Sequence, residues 1–393
     1  MNTAQRLPNG ACRGLFCAAV LLASASVAAQ TQPSAAGEKW QFGAVLDAAT
    51  TSRALELGGR DKGLQLGHSD LTASGPLGRH LRAQMTAVLA THDGSVEKEI
   101  EEAWVETRTL PLGLSARAGR FASQLGYLNQ QHPHADDFVE RPLLYRAFLG
   151  GHWNDDGLRI NVTLPTGLYW MVGAEVFRGH RLVAESDPPV SGAGAFTLVT
   201  KLGGDINRAN SWQLGLSYLK SRRIAALEDE HSDAEGEAHD HDHDHHHHHG
   251  AQFGGKHTWL VDATWKWAPG GNNREQQLRV TVEAARVTGI NRFASASKRH
   301  EALGLAAVWR FNPNWEAGAR VDRLRVAMPH EDHFHSGRLN EQALMLAWKP
   351  SHMQALRVQF SQQNGAAGFE NPARRSVALQ YVLAFGAHGA HAF

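Results

Sequence analysis

Several features that indicate other classes of protein are scarce or missing in this chain of 393 residues. The two cysteines, Cys12 and Cys17, both lie near the N-terminus, so the rest of the chain forms no disulfide and no thiolate metal site. Beyond residue 29 no window approaches 18 consecutive apolar residues, which excludes helical membrane spans. The 39 basic and 39 acidic residues cancel, so no overall field indicates a nucleic-acid partner.

Motifs for catalysis and for organic cofactors are also missing. The chain has no phosphate loop and no dinucleotide-binding fingerprint. Ser217 and the other serines lie in alternating segments, without the glycine pattern of a nucleophile elbow. We therefore expect no organic cofactor and no enzymatic activity.

The first 29 residues have the composition of a cleaved export signal. Arg6 and Arg13 precede an apolar run from Gly14 to about Ala25, and small residues follow up to Ala29. The apolar run is shorter than the roughly 20 residues that a membrane-spanning helix needs. We expect cleavage after Ala29, which leaves residues 30–393 as the mature protein.

The mature region is dominated by alternation of apolar and polar residues, the period of a β-strand. In segment 315–322, for example, Trp315, Ala317, Ala319 and Val321 alternate with polar residues and glycine. A soluble β-sandwich also alternates, but these segments run about 10 to 13 residues, the length that a tilted strand needs to cross a bilayer. Aromatic residues near the ends of the segments are typical of an interfacial girdle. They are Trp40, Trp212, Trp259, Trp267, Trp309, Trp315, Trp348 and Tyr381.

The connections between these segments alternate in length. If the last strand, about residues 374–385, descends to the periplasm, the connections on that side are tight and rich in Pro, Gly and Asn. They are 349–353, 312–314, 268–273, 203–210, 165–167, 110–112 and 75–78. The long connections on the outside are 327–338, 289–299, 223–255, 179–194 and 123–156. The count predicts an all-β transmembrane antiparallel barrel of about 16 strands, with a lumen too wide for side chains to fill.

The outside segment 223–255 contains an unusual run of histidine and acidic residues. Residues 228–249 hold nine histidines and nine carboxylates. Imidazole and carboxylate groups are good ligands for Zn²⁺, Cu²⁺ and Ni²⁺, and solubility alone would not need histidine. The expected ligands here are His231, His239, Asp240, His241, Asp242, His243, Asp244, His245, His246, His247, His248 and His249.

Two smaller clusters fall on the same side of the predicted barrel. One contains His330, His333 and His335, and the other contains His132 and His134. For each cluster the sequence favours neither of two interpretations, a metal site or an exposed polar loop.

Segment 123–156 is the third outside loop, which in 16-stranded porins folds into the lumen and narrows it. We expect its apolar side chains to pack on the barrel wall and its polar ones to face the pore. The first set is Tyr127, Phe138, Leu143, Leu144, Tyr145 and Phe148, and the second is His132, His134, Asp136, Asp137, Glu140 and Arg141. This predicts a constriction that suits metal ions.

The predicted lumen faces of the strands carry both signs of charge, so the preferred sign of a permeating ion does not follow from them. The residues are Arg82, Arg117, Arg279, Arg320, Arg357, Glu101, Glu283, Glu316 and Asp322.

Several motifs together resemble a known family. These are Gly119–Phe121, Gly126–Asn129, His132–His134, Arg141–Gly150 and the ending 385–393, beside the histidine-rich segment. With them the chain resembles the zinc-regulated outer-membrane proteins of proteobacteria, often labelled TonB-dependent receptors and similar to phosphate-selective porins. The resemblance implies a Gram-negative outer-membrane barrel connected with zinc supply, and His132 and His134 as metal contacts. A 22-stranded receptor with a plug domain needs a longer chain, so we expect a porin-like barrel.

The leading hypothesis is an outer-membrane channel that captures zinc or a similar divalent metal at its mouth and admits it by diffusion. Its partners would be outer-membrane lipid and metal ions or other small solutes, with a homotrimer as one open assembly. The first alternative is a general or anion-selective porin, for phosphate among others, with incidental metal binding. The second is a barrel that anchors an outer-membrane enzyme or adhesin.

Overall fold

The computed structural model describes residues 39–386, apart from residues 93, 109, 226–249, 292–293, 296, 331–332, 367–368 and 370–372. The predicted leader and the terminal Phe393 lie outside the described residues. The strands are β1 Gln41–Thr51, β2 Gly63–Leu66, β3 Ser69–Leu77, β4 Leu81–His92, β5 Ser95–Thr107, β6 Leu114–Ala122, β7 Asn154–Thr163, β8 Tyr169–Phe177, β9 Ala195–Asn207, β10 Asn210–Ser221, β11 His257–Trp267, β12 Gln277–Thr288, β13 Arg299–Asn312, β14 Trp315–His330, β15 His333–Ser351, β16 Gln354–Ala366 and β17 Ala373–Gly386. The described helices are α1 Leu143–Leu149 and two 3₁₀ turns, Pro133–Ala135 and Pro269–Gly271.

The strands form one closed antiparallel sheet. Neighbours along the chain pair from β3 to β17, and β17 closes the barrel on β1. β2 and β3 both pair with β1, one with Ala48–Thr51 and the other with Gln41–Val45. They are therefore two halves of a single interrupted strand, which gives a barrel of 16 strand positions. This confirms the predicted 16-stranded, porin-like fold.

The two faces of the barrel differ as the alternation predicts. Apolar side chains such as Leu303, Leu344 and Val358 are about half exposed on the outside. Their polar neighbours in sequence, such as Arg357 and Gln359, are buried inside the barrel. Because closure pairs the strands all around, the apolar face carries no open sheet edge.

The outer face also carries the predicted aromatic girdle. Its exposed members include Trp40, Tyr169, Trp170, Trp259, Trp265, Trp267, Trp309, Trp315, Trp348 and Tyr381. Of the predicted set, Trp212 is only partly exposed. A continuous apolar exterior of this size is stable only in contact with lipid, and the barrel lies in an outer membrane.

Among the described residues, no helix is both long and apolar enough to cross a membrane.

The connections follow the predicted parity with one correction. The link between β9 and β10 shortens to residues 208–209, and that between β15 and β16 to residues 352–353. The predicted outside loop 327–338 is wrong, because β14 and β15 continue as a paired hairpin up to His330 opposite His333. A hairpin that rises beyond the bilayer satisfies its own backbone groups and needs no apolar face, so its polar sequence looks like a loop.

Residues 123–153, between β6 and β7, lie inside the barrel, and we call them the lumen loop. All seven residues of α1 are buried, and α1 packs against β13 and β14. Lys201 of β9 donates a hydrogen bond to the backbone oxygen of Gly126 (3.2 Å), and the Val139 N–H donates to Gln359 of β16 (2.7 Å). The loop therefore crosses the lumen from one wall to the opposite one.

Candidate metal centre in the lumen

The structure brings together four histidines and three carboxylates on one side of the lumen, and we call them the lumen cluster. The members are His68, Asp70, Glu101, Glu102, His132, His134 and His152. They come from three places in the chain: the interrupted strand, β5, and the two ends of the lumen loop. Each of these places departs from regular secondary structure.

The interruption between β2 and β3 positions His68. Gln65 and Asp70 are both buried inside the barrel, although a regular strand would turn residues five apart to opposite faces. The break at Gly67 and His68 absorbs the extra residue, and the Gly67 N–H donates to the backbone oxygen of Asp47 (2.7 Å). A Cβ on Gly67 would lie 2.4 Å from both the Asp47 carboxylate and the Arg60 guanidinium, so a side chain here would displace this buried ion pair or the break itself.

A second irregularity, in β5, turns two consecutive carboxylates inward. The pairing of β4 with β5 shifts register between Thr86, opposite Glu102, and Ala87, opposite Ile100. Glu101 is thus the extra residue of a β-bulge. As a result Glu101 and Glu102 are both buried inside the barrel, at 5% and 6% exposure.

The lumen loop supplies the other three histidines. His132 precedes the 3₁₀ turn Pro133–Ala135, and His134 lies within it. His152 follows Gly150, which ends α1 in the left-handed conformation (φ 61°) and turns the chain back towards the wall.

Glu101 is the centre of the outer part of the cluster. Its Oε1 lies 2.9 Å from His68 Nε2 and 2.8 Å from His152 Nδ1. Its Oε2 lies 3.1 Å from His132 Nδ1, yet neither of these two atoms has a hydrogen-bonding partner of good geometry. Buried polar atoms without a hydrogen bond need an explanation, and a cation bound between the two is one that fits an oxygen facing an imidazole nitrogen.

Asp70 is the centre of the inner part. Its Oδ2 lies 3.5 Å from His132 Nδ1 and 3.4 Å from His134 Nδ1. Glu102 Oε2 lies 3.6 Å from His132 Nε2, so His132 contacts three carboxylates.

These separations match the size of a metal coordination shell. In a tetrahedral zinc site with bonds of about 2.1 Å, neighbouring ligand atoms are roughly 3.4 Å apart. Among the residues that the structure describes, two groups place one ligand atom from each member within 4.8 Å of the others. They are His68, Glu101 and His152, and His68, Asp70 and His132.

The two loop histidines with shifted pKa values differ in protonation. Burial lowers the pKa of His132, but the carboxylates of Glu101 and Glu102 outweigh burial and hold the pKa well above its usual value. Burial lowers the pKa of His152 to about 4, against the opposing effect of Glu101. At neutral pH His152 is therefore a neutral imidazole that is ready to bind a metal, whereas His132 releases a proton to do so.

Cavities lie on both sides of the cluster. A cavity of about 220 Å³ on the loop side is lined by His68, Glu101 and His152. A cavity of about 560 Å³ on the periplasmic side is lined by Asp70, Glu102, His132 and His134. We call them the outer and inner cavities, and the lumen cluster forms the boundary between them.

The predicted metal residues have different locations. His132 and His134 lie in the cluster, with ring centroids 5.6 Å apart. His333 and His335 lie together on the hairpin of β14 and β15, with their Nε2 atoms 3.0 Å apart, and the backbone of His330 pairs opposite His333. The histidine-rich residues from His231 to His249 lie outside the described part of the chain and stay a prediction.

The polar loop residues predicted to face the pore line the cavities of the lumen, and several of them also form ion pairs or hydrogen bonds. Arg141 pairs with Asp136 (2.6 Å), Asp137 pairs with Arg279 of β12, and Glu140 accepts a hydrogen bond from the Gly59 N–H (3.0 Å). Burial of an ionised group requires a partner of this kind. The apolar residues predicted to pack on the wall do so: Leu143, Leu144, Tyr145 and Phe148 join the main core cluster, and Phe138 packs with Val308 and Met345.

His68 and His152 are not recognisable as site residues from the sequence. Glu101 was assigned to the lumen, but Glu102 and Asp70 were not assigned at all. One available signal was the pair Glu101–Glu102 inside an alternating segment, because two adjacent carboxylates cannot both face inward without a bulge.

No family model matches the chain. A curated protein of Aquifex aeolicus (strain VF5), described as uncharacterized, is 25% identical over 360 residues, which are 84% of this chain and 70% of that protein. The high pH structure of Pseudomonas putida OprB has a TM-score of 0.55 at 13% identity and covers 89% of this chain and 94% of its own. The anion-selective porin from Comamonas acidovorans has a TM-score of 0.53 at 12% identity, with coverage of 89% and 100%.

These likenesses show the fold, a porin-like outer-membrane barrel. They do not bear on zinc regulation or on the TonB-dependent label, so those two implications of the sequence resemblance stay predictions.

Proposed function

We propose that the protein is an outer-membrane channel that admits a divalent transition metal, zinc above all, by way of the lumen cluster. The observation that carries this proposal is the position of four histidines and three carboxylates at the boundary between two cavities. Zinc and similar ions prefer this mixture of imidazole and carboxylate ligands. Here the metal is the transported substrate, so its site has to release it as well as bind it.

The chemistry of the cluster favours a cation over an anion. Asp70, Glu101 and Glu102 are all at least nine-tenths buried. Three carboxylates in a site of low dielectric constant repel anions and attract a dication more strongly than they would in water. Neutral imidazole nitrogens then favour a transition metal over Ca²⁺ or Mg²⁺, which bind oxygen ligands.

In this proposal the histidine-rich segment, residues 228–249, concentrates metal at the mouth. A segment with many imidazoles binds several ions weakly and raises their local concentration. The pair His333 and His335 on the hairpin of β14 and β15 would add to the same effect.

A general or anion-selective porin is the second candidate, and one observation favours it. Arg82, Arg117 and Arg159 line the inner cavity. Arg117 also pairs with Glu106 (2.7 Å), so the wall of that cavity has mixed charge. The anion-selective porin from Comamonas acidovorans shares the fold.

Zinc influx into vesicles tests the proposal. The full chain is reconstituted in liposomes that contain a zinc-responsive dye, and the rate after Zn²⁺ addition is compared with that of the double variant His132→Ala, His152→Ala. We expect at least a tenfold loss of influx, because both cavities lose a ligand. His257→Ala is the matched control, since His257 stacks on Tyr218 of β10 and lies outside the cluster.

Equal zinc influx through the double variant and the control would contradict the role of the cluster. Planar-bilayer reversal potentials in a potassium phosphate gradient address the second candidate. A strong anion preference that is indifferent to Zn²⁺ would favour the general or anion-selective porin.

Three further questions are independent of this experiment. Absence of enzymatic activity is a prediction, whereas a barrel that anchors an enzyme or adhesin and assembly into a homotrimer are alternatives, and each has a direct assay.

A further inference from the structure

We propose that the lumen cluster consists of two overlapping coordination sets that share His68, and that a metal ion passes from one set to the other as it crosses the barrel. This inference rests on the proposed function and adds the route of the ion. The outer set is His68, Glu101 and His152, and the inner set is His68, Asp70 and His132.

The outer set opens to the outer cavity. All three of its members line that cavity. Glu101 links the other two, since the same oxygen lies 2.9 Å from His68 and 2.8 Å from His152. A metal ion at this position would replace these two hydrogen bonds with metal–ligand bonds of about 2.0–2.2 Å.

The inner set opens to the inner cavity. Asp70 and His132 both line that cavity, together with His134 and Glu102. His132 Nδ1 lies 3.5 Å from Asp70 Oδ2, a separation that leaves room for an ion bound to both.

The backbone irregularities explain why there are two sets. The bulge in β5 directs Glu101 to the outer cavity and Glu102, the next residue, to the inner one. The interruption of the second strand position does the same with His68 and Asp70. The two strand positions on either side of β4 thus each present one ligand above the boundary and one below it.

His68 is placed to contact an ion in either set. Its ring centroid lies 6.1 Å from that of His152 and 5.4 Å from that of His132. An ion that keeps its bond to His68 can exchange Glu101 and His152 for Asp70 and His132. The total number of protein ligands is the same before and after the exchange.

The number of ligands in each set also suits transfer. Structural zinc sites are closed by four protein ligands, whereas sites with three keep an open position for water or an incoming ligand. Each set here has three residues. An incoming carboxylate or imidazole of the other set can therefore bind before the outgoing one leaves, which lowers the barrier to exchange.

Three variants separate the two sets. His152→Gln removes a ligand from the outer set, Asp70→Asn removes one from the inner set, and His68→Ala removes the shared ligand. Zn²⁺ positions are read from anomalous diffraction of soaked crystals of the full chain, and zinc influx is read from dye-loaded vesicles. Resistance of the folded barrel to SDS at room temperature checks folding, and His132→Gln removes another ligand of the inner set if Asp70→Asn fails that check.

We expect zinc density at both positions in the wild type, at the inner position alone in His152→Gln, and at the outer position alone in Asp70→Asn. His68→Ala should lose at least tenfold in occupancy at both. His152→Gln and Asp70→Asn should each lower zinc influx at least tenfold, because the ion has to bind at the outer set and then at the inner set. Glu106→Gln is the control. Glu106 lies on β5, as Glu101 and Glu102 do, and lines the inner cavity outside the cluster, so this variant should leave the zinc positions and zinc influx unchanged.

The outcomes separate this inference from the proposed function. A single zinc position that all three variants abolish, with influx lost alike, would overturn the two-set route and leave the metal channel standing. Absence of zinc from the lumen of the wild type, with influx unaffected by every variant, would overturn both.

Discussion

Two walls of the same lumen carry buried carboxylates, but with different cationic partners. On β14 and β15, Glu341 accepts from Arg320 and from Arg146 of the lumen loop, both at 2.5 Å, and all three side chains are at least 96% buried. On β3 and β5, the carboxylates of Asp70 and Glu101 face histidines instead.

The difference shows how the partner decides what a buried carboxylate does. Arginine keeps its charge at all physiological pH values, and Arg320 also donates to the backbone oxygen of Glu140, so this wall holds the lumen loop in place. Histidine can give up its proton and offer a nitrogen lone pair to a metal. One wall therefore fixes the loop, whereas the histidines of the other have the chemistry that the proposed metal exchange needs.

The largest effect is expected on the arginine wall. Glu341→Gln leaves Arg146 and Arg320 buried without a full counter-charge, which should lower the free energy of unfolding by about 3–5 kcal/mol. Urea titration of the barrel in lipid vesicles measures it. Glu301→Gln is the control, because Glu301 pairs with Arg286 and Arg299 at the surface and should cost less than about 1 kcal/mol. Equal losses of unfolding free energy in the two variants would mean that the buried network stabilises the barrel no more than the surface pairs do.

The same substitution on the histidine wall should act on metal binding. Glu101→Gln removes a ligand and should weaken zinc binding in the lumen about 100-fold, with the free energy of unfolding little changed. Competition with a zinc chelator measures the affinity. The readout is the conductance of the reconstituted full chain, which bound zinc should block and the chelator should restore. A loss of stability comparable to that of Glu341→Gln would show that both walls are structural.

A third change tests the strand interruption. In Gly67→Ala the new Cβ would lie 2.4 Å from both Arg60 Nη1 and Asp47 Oδ2, so the break must shift and His68 with it. We expect a loss of about 1–3 kcal/mol in stability and about tenfold weaker zinc binding. Gly167→Ala is the control, since nothing lies within 4 Å of its added carbon.

The smallest effect is the pH dependence of zinc binding. His132 has a raised pKa and carries a proton in the metal-free site, so zinc must displace that proton and affinity should rise with pH between 6 and 8. The rise should not exceed about tenfold per pH unit, because His152, with a pKa of about 4, is already neutral throughout this range. A chelator competition series over these pH values measures the slope, and a steeper rise would require a second protonated ligand.

The fold could be read from the sequence because period-two alternation is imposed by the bilayer at every strand. The hairpin of β14 and β15 was misread at 327–338, since beyond the bilayer the alternation is no longer required. The candidate metal centre could be read only in part. His132 and His134 stand in a motif, whereas His68 and His152 reach the cluster through a strand break and through the return of the lumen loop.

Those contacts depend on register and on long-range packing, which local patterns do not encode. Glu101 and Glu102 are the instructive case, because their adjacency contradicts the alternation that identified β5.

The bulge in β5 has a consequence for how this protein can change over time. A strand with one residue fewer at Glu101 regains an uninterrupted alternation and still closes the same barrel. Loss of the Glu101 codon would leave a closed barrel in which β5 presents one carboxylate to the lumen here instead of two adjacent ones, whereas insertion of one codon into a regular strand would create such a pair in a single event.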